Sequence, residues 1–301
     1  MTKLLYNSNK MKKFLLLTLA AMLVAGCEKP VFGDVEDVDI DETPSKQFTF
    51  TVKGDCNAAT FKGARRAYLQ ADGQSMTDLW VFDYVNGQLV QTVHQTADDA
   101  QWGKPQMSLA YGSHHVYFVA SRGEGATVDA DGHTIIWTGP RDTFWKDYEV
   151  EVVSTSNGNR AVTLDRVATR LRVTVNDEVP ATCKAVRVTP DRWYYGWDYV
   201  GGSPVASQKT ERVVNVPDSY VGTTGELTVS IFGLSGQDEW VTNVEVKATD
   251  ASEAVIGSAT ITGAPFKANR STEYSGNLFG SSGGLDVSVN GNWENPKIGN
   301  W

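Results

Sequence analysis

Few residues in this 301-residue sequence have the types and spacing that bond-making chemistry requires. The four histidines are His94, His114, His115 and His133. His114 and His115 are adjacent at the start of an expected strand, where consecutive side chains point to opposite faces, so they are poorly placed to share a metal ion. Asp37-x-Asp39-x-Asp41 has the opening of a calcium loop, but Glu42 stands where a glycine must turn the chain and Phe48 where a bidentate glutamate belongs. There is no H-E-x-x-H, no phosphate loop, no C-x-x-C and no dinucleotide fingerprint. Carboxylate pairs of the glycosidase kind meet only in the fold. The sequence therefore reads as a non-enzyme, with no catalytic residue, no metal and no cofactor.

Two other groups could act by contact or by cleavage. Trp193, Tyr194, Tyr195, Trp197 and Tyr199 form an aromatic cluster closed by Gly201-Gly202. Exposed rings beside polar groups suit the apolar face of a sugar or anchor a protein contact. The alternative is a strand and turn whose rings plug the end of a sandwich. Arg65-Arg66 is a dibasic step between two expected strands, the kind of exposed site that trypsin-like proteases cut. The alternative is a solvated basic turn.

The leader supplies the remaining chemistry. A basic start, an apolar run from Phe14 to Ala25 and small residues before a cysteine are the build of a secretion signal over residues 1–26. The run is too short for the roughly 20 residues of a membrane-spanning helix. Val24-Ala25-Gly26-Cys27 resembles the lipobox of bacterial lipoproteins, which predicts cleavage before Cys27 and acylation of its thiol, with each buried methylene contributing about 0.8 kcal/mol to anchoring. Residues 27–46 hold the lipidated cysteine and an acidic linker with too few apolar groups to offset the entropy of ordering. An acidic run so soon after the cysteine is similar to the signals that send Bacteroidales lipoproteins to the outer leaflet.

The whole chain carries a formal charge of −9, and a leader with lysines but no acids makes the mature protein more acidic still. Such a surface repels phosphate backbones, so nucleic acid is not an expected partner. Besides Cys27 only Cys56 and Cys183 remain, enough for one disulfide or two buried thiols and not for a disulfide framework.

The elements that must position these residues are strands. From residue 47 onward the apolar period is two, broken by glycine and asparagine turns. Strands are predicted at 47–53, 79–85, 88–94, 115–120, 134–138, 148–154 and 161–164. The second half gives 171–175, 185–189, 212–216, 227–232, 241–248, 255–261 and 285–289. Residues 79–85 are apolar on both faces, as in a strand covered on both sides, and Asn86-Gly87 supplies the positive φ angles of a tight hairpin. No stretch after residue 27 holds helical periodicity over three turns. The fold class is all-β, with an N-terminal sandwich over residues 47–165 and a C-terminal one over 166–301.

The order of these pieces resembles the Bacteroidales fimbrillin superfamily. The resemblance rests on the lipobox, the acidic tether, Leu79-Trp80-Val81-Phe82-Asp83 before an Asn-Gly turn, the segment from Leu164 to Val173 that contains Arg-Val-Ala-Thr-Arg, and a late Ala268-Asn269-Arg270-Ser271-Thr272-Glu273-Tyr274. It covers residues 47 to 290 and implies two transthyretin-like sandwiches in a surface pilus subunit or its lipid-linked anchor. It further implies outer-membrane and fimbrial location, and assembly with other subunits by strand exchange after an arginine-specific cut at Arg65, Arg66, Arg166 or Arg170. The expected donor strand is carried by Leu285, Val287 and Val289, near a chain end. A surface glycan-binding lipoprotein that uses the aromatic cluster is the rival reading, and a host glycan or protein is the expected external partner.

Overall fold

Phe48, Phe50 and Val52 alternate with polar residues, and a strand so patterned must lay one face on a core. In a computed structural model of the chain, which describes residues 44–54, 76–122 and 125–279, they do so within an all-β architecture. The first half contributes β1 (Ser45–Gly54), β2 (Asp78–Val85), β3 (Gln88–Thr96), β4 (Gln106–Ala110), β5 (Gly112–Ser121), β6 (Thr127–Val128), β7 (Thr134–Ile136), β8 (Thr143–Val152) and β9 (Asn159–Arg166). The second contributes β10 (Ala168–Val175), β11 (Ala185–Pro190), β12 (Trp193–Asp198), β13 (Ser203–Gln208), β14 (Arg212–Asn215), β15 (Thr228–Leu234), β16 (Trp240–Thr249), β17 (Val255–Phe266) and β18 (Arg270–Gly276). Among the described residues one 3-10 turn, Asp218–Tyr220, is the sole helical element, and no helix is long and apolar enough to cross a membrane.

The first sandwich is a seven-stranded sheet of order β3-β2-β5-β8-β9-β1-β4 that folds over at the β8–β9 seam, where two residue pairs hold it. Folding brings β1 against β5, so that Phe50 meets Phe118 edge to face with ring centroids 5.2 Å apart. The core between the layers includes Phe48, Phe50, Leu79, Val81, Leu109, Phe118 and Leu164. The second sandwich packs the sheet β14-β11-β16-β17 on the sheet β15-β10-β18 around Leu171, Val173, Val188, Val246, Ile261 and Phe266.

The two halves repeat one topology. In each, the first strand lies between an antiparallel and a parallel neighbour: β1 between β4 and β9, β10 between β15 and β18. In each, the second strand likewise has two antiparallel partners, β3 and β5 for β2, β14 and β16 for β11. Each half also inserts two strands that belong to neither sandwich. These insertions pair with each other, giving a fourth sheet of order β13-β12-β7-β6 through Gly196↔Ile136, Trp197↔Ile135 and Asp198↔Thr134. It covers the outer face of β2 and β5 with a third core that includes Phe82, Tyr117, Val119, Trp137, Trp197 and Tyr199. Hence residues 79–85 are apolar on both faces: Leu79 and Val81 enter the first core, while Phe82 and Tyr84 enter the third.

Local chemistry explains the turns. Asn86 and Gly87 both take positive φ, 51° and 75°, and the β2–β3 hairpin closes on them as a two-residue loop. Some boundaries differ from the sequence reading. The strand expected at 148–154 spans Thr143–Val152, because Phe144 faces the first core and Trp145 packs against the third. β4 and β18 have no counterpart among the predicted strands. β4 offers only Met107 and Leu109 to the core, and the polar β18 is fixed by its parallel ladder on β10.

Candidate interaction site

β1 is paired along both of its edges. Its first half, Ser45 to Thr49, pairs with β4 and its second half, Thr49 to Gly54, with β9. Further backbone bonds run from the Phe50 and Val52 amides to the carbonyls of Pro105 and Gly103, 3.0 Å each. Phe48 and Phe50 are wholly buried and Val52 nearly so, side chains whose burial contributes about 1.5–3 kcal/mol each. Without β1, the sandwich would present two unpaired backbone edges and an apolar trough with sites for alternate side chains, which is what strand addition requires. β10 holds the same topological place in the second sandwich, but it is joined to β9 through Val167 alone.

The aromatic cluster lies largely inside the molecule. Trp193 is fully buried in the second core, donates its indole N–H to the Phe232 carbonyl at 2.8 Å and meets Phe266 edge to face. Trp197 is buried against Trp145, and Tyr199 stacks on Phe82. Burial, with Tyr84 beside it, raises the Tyr199 phenol well above its ordinary value, and its hydroxyl donates to the Gly132 carbonyl. Gly196 sits in a close approach of β12 to its neighbours, where a Cβ would stand 3.1 Å from Val205 Cγ2 and 3.3 Å from the Ile135 carbonyl. Only Tyr194 and Tyr195 are half-exposed, so they alone of the five could show a ring to a sugar or partner.

Arg166 and Arg170 are also interior. Arg166 makes a two-pronged pair with Asp142, 2.6 and 3.0 Å, donates to Asn269 and lies over the Phe144 ring. Arg170 donates to the Ser271 hydroxyl at 2.8 Å and approaches Glu273 at 3.5 Å. A protease must bind an extended, accessible segment, and both arginines sit in paired strands.

No protein-family model and no curated protein sequence matches the chain. Several solved structures are similar. One is a candidate adhesin from Bacteroides ovatus, 14% identical, with a TM-score of 0.49 over 71% of this chain and 77% of that one. A candidate polysaccharide-binding protein from Bacteroides thetaiotaomicron is 8% identical, with a TM-score of 0.48 over 72% and 80%. The fimbrial anchor protein Mfa2 from Porphyromonas gingivalis is 10% identical, with a TM-score of 0.42 over 71% and 82%.

The remaining sequence candidates divide by position. His114 is buried against Asp83, whereas His115 faces out and contacts Asp147 at 3.1 Å. His115, Asp147 and Glu149 each bring one ligand atom within 4.8 Å of the others, an exposed grouping that strand surfaces often show without an ion. His94 stacks on Trp80, and His133 pairs with Asp131 and Asp198. Cys183 is a buried free thiol whose pKa burial raises. Cys27, Cys56, Arg65, Arg66, Leu285, Val287 and Val289 lie outside the described residues.

Proposed function

We propose that the chain is a cell-surface subunit or anchor of a fimbria, structural or adhesive in role, lipidated on Cys27 at the outer membrane, a tether that an anchor keeps and a cleaved subunit sheds, and joined to its neighbours by strand exchange. The observation that carries this reading is the position of β1: a core-filling strand between β4 and β9 whose covalent link to β2 runs through the segment containing Arg65 and Arg66. A cut at either arginine would free β1 from the chain while leaving the other strands of its sandwich joined. An incoming strand with alternating apolar residues would then recover the buried side chains and the two ladders. The C-terminal segment with Leu285, Val287 and Val289 has that alternation and is the proposed donor. Anchors keep Cys27 as their first residue, and polymerising subunits begin just after an arginine.

The test treats the full chain with an arginine-specific protease. We expect cleavage at Arg65 or Arg66, survival of Arg166 and Arg170, and detergent-resistant oligomers that fail to form when residues 285–301 are deleted. Cleavage without oligomers, or oligomers from the deleted chain, would remove strand exchange from the account. A palmitate analogue fed to cells labels the protein and not its Cys27→Ser variant; equal labelling of both would remove the lipid anchor.

A further inference from the structure

The outer face of β5 and β8 carries a ladder of polar groups: Ser113 stands opposite Glu151, His115 opposite Glu149 and Tyr117 opposite Asp147. We propose that His115, Asp147 and Glu149 bind one divalent transition-metal ion of the zinc class.

Geometry is the first argument. One ligand atom from each of the three residues lies within 4.8 Å of the others. A tetrahedral ion with bonds of about 2.1 Å spaces its donors roughly 3.4 Å apart, a difference that exposed side chains close by rotating. Nδ1 of His115 already stands 3.1 and 3.2 Å from the two oxygens of Asp147. The backbone beneath is fixed, because β5 and β8 pair without a break from Gly112↔Val152 to Ser121↔Thr143. One imidazole nitrogen with two carboxylate oxygens is a donor set for zinc and its neighbours, whereas magnesium and calcium take oxygen ligands. The fourth position is left to water. Sequence offered His115 only its neighbour His114 as a fellow ligand, and His114 is buried against Asp83 on the opposite face. The cross-strand acids supply what that pair cannot.

Two features separate this grouping from a chance meeting of surface acids. Asp147, Glu149 and Glu151 lie on one face of one strand, and among the described residues none of them pairs with a lysine or an arginine. Asp142, Asp165, Asp191, Glu211 and Glu273 all have such a partner. A dication would offset the charge that this face leaves uncompensated. The second feature is Tyr117, which is 6% exposed and whose hydroxyl has no hydrogen-bond partner among the described residues. It stands across from Asp147, and its ring stacks on His115 with centroids 6.0 Å apart. Desolvation first, and then the charge of Asp147, pushes its phenol up to about 12, so the hydroxyl keeps its proton as a donor. A donor beside ligating carboxylates orients them or bonds a water on the ion, the part that outer groups play in metal sites.

The experiment titrates zinc chloride into the full chain by calorimetry and follows the thermal midpoint in parallel. A ligand that binds only the folded state raises the midpoint saturably. We expect saturable binding and such a rise in the wild type, and the loss of both in His115→Ala and Glu149→Gln. Both side chains are exposed, so the zinc-free midpoints should stay near wild type and separate lost binding from lost fold. Tyr117→Phe keeps the packed ring and is expected to weaken binding roughly tenfold; unchanged affinity there would remove the hydroxyl from the site. His133→Ala alters the grouping with Asp131 and Asp198 and should leave the affinity as it was. Cobalt in place of zinc should give a spectrum without the thiolate charge-transfer band that a cysteine ligand produces. No saturable binding, wild-type affinity in His115→Ala or Glu149→Gln, loss of binding in His133→Ala, a thiolate band, or an equal response to magnesium would overturn the proposal.

Discussion

Tyr199, from the second half of the chain, stacks on Phe82 of the first with ring centroids 4.0 Å apart and planes 6° from parallel. Both rings are buried in the core that the two insertions share. Tyr199→Ala should lower the unfolding free energy by about 3–5 kcal/mol, the range for truncating a buried aromatic ring. Tyr199→Phe removes only the hydroxyl contacts to Gly132 and Tyr84, at about 1 kcal/mol. Urea unfolding followed by tryptophan fluorescence checks both; equal small losses would mean the ring is not packed as described.

Gly233 and Trp193 are in a similar dependence. A Cβ on Gly233 would fall 2.6 Å from Cε2 and 2.8 Å from Nε1 of the Trp193 indole, which is wholly buried and cannot swing away. Gly233→Ala is expected to cost about 1–3 kcal/mol by overpacking. Trp193→Phe introduced alongside it should cost less than the two single changes summed, since the smaller ring relieves the clash. Strict additivity in the denaturation data would count against the contact.

How much of this was legible in the sequence depends on which residues carried the signal. The alternation of Phe48, Phe50 and Val52, the two-faced apolar character of 79–85 and the Asn86-Gly87 turn are local facts, and the strands formed on them follow. β4 and β18 were silent because each shows only two alternating side chains to a core, and their identity comes from backbone pairing with strands far away in sequence. The joint sheet of β7 and β12 was illegible for the same reason, as its partners Ile135 and Trp197 lie in different halves. The aromatic cluster was visible as composition, but ring exposure is a tertiary property that composition does not carry. Arg166 and Arg170 show the same limit, since their contacts with Asp142, Asn269 and Ser271 are tertiary and residue type alone does not carry them.

The Arg166–Asp142 pair gives a prediction of coupled loss. Their side chains are 3% and 14% exposed, and removal of one partner leaves a charge in a poorly hydrated site. Asp142→Ala and Arg166→Ala should each cost about 3–5 kcal/mol. The double variant should lose markedly less than the sum, because no unpaired charge remains. A double-mutant cycle from urea denaturation measures the difference, and near-zero coupling would show that the pair is solvated.

Asp83 and His114 predict a pH dependence of definite sign. Nδ1 of His114 lies 2.7 Å from Oδ1 of Asp83, and Nε2 lies 2.9 Å from the Ala110 carbonyl, which can only accept. Nε2 therefore carries a proton, and a second proton must lie between Nδ1 and the carboxylate, or two acceptors would face each other. Burial raises the Asp83 pKa above its ordinary 3.8, although the hydrogen bond and the charge of His114 both oppose this. A carboxyl with a raised folded value binds its proton more tightly folded than unfolded. Its contribution to stability is full below the ordinary value and is lost as pH rises through the folded one. In Asp83→Asn the amide replaces the titrating carboxyl and its N–H can donate to Nδ1, so the slope that comes from Asp83 should vanish. The variant is then expected to be least favoured relative to wild type in acid and to gain on it as pH rises. Unfolding free energies of both proteins across the acid range test this, and a difference that runs the other way would assign the proton in the pair to the imidazole instead.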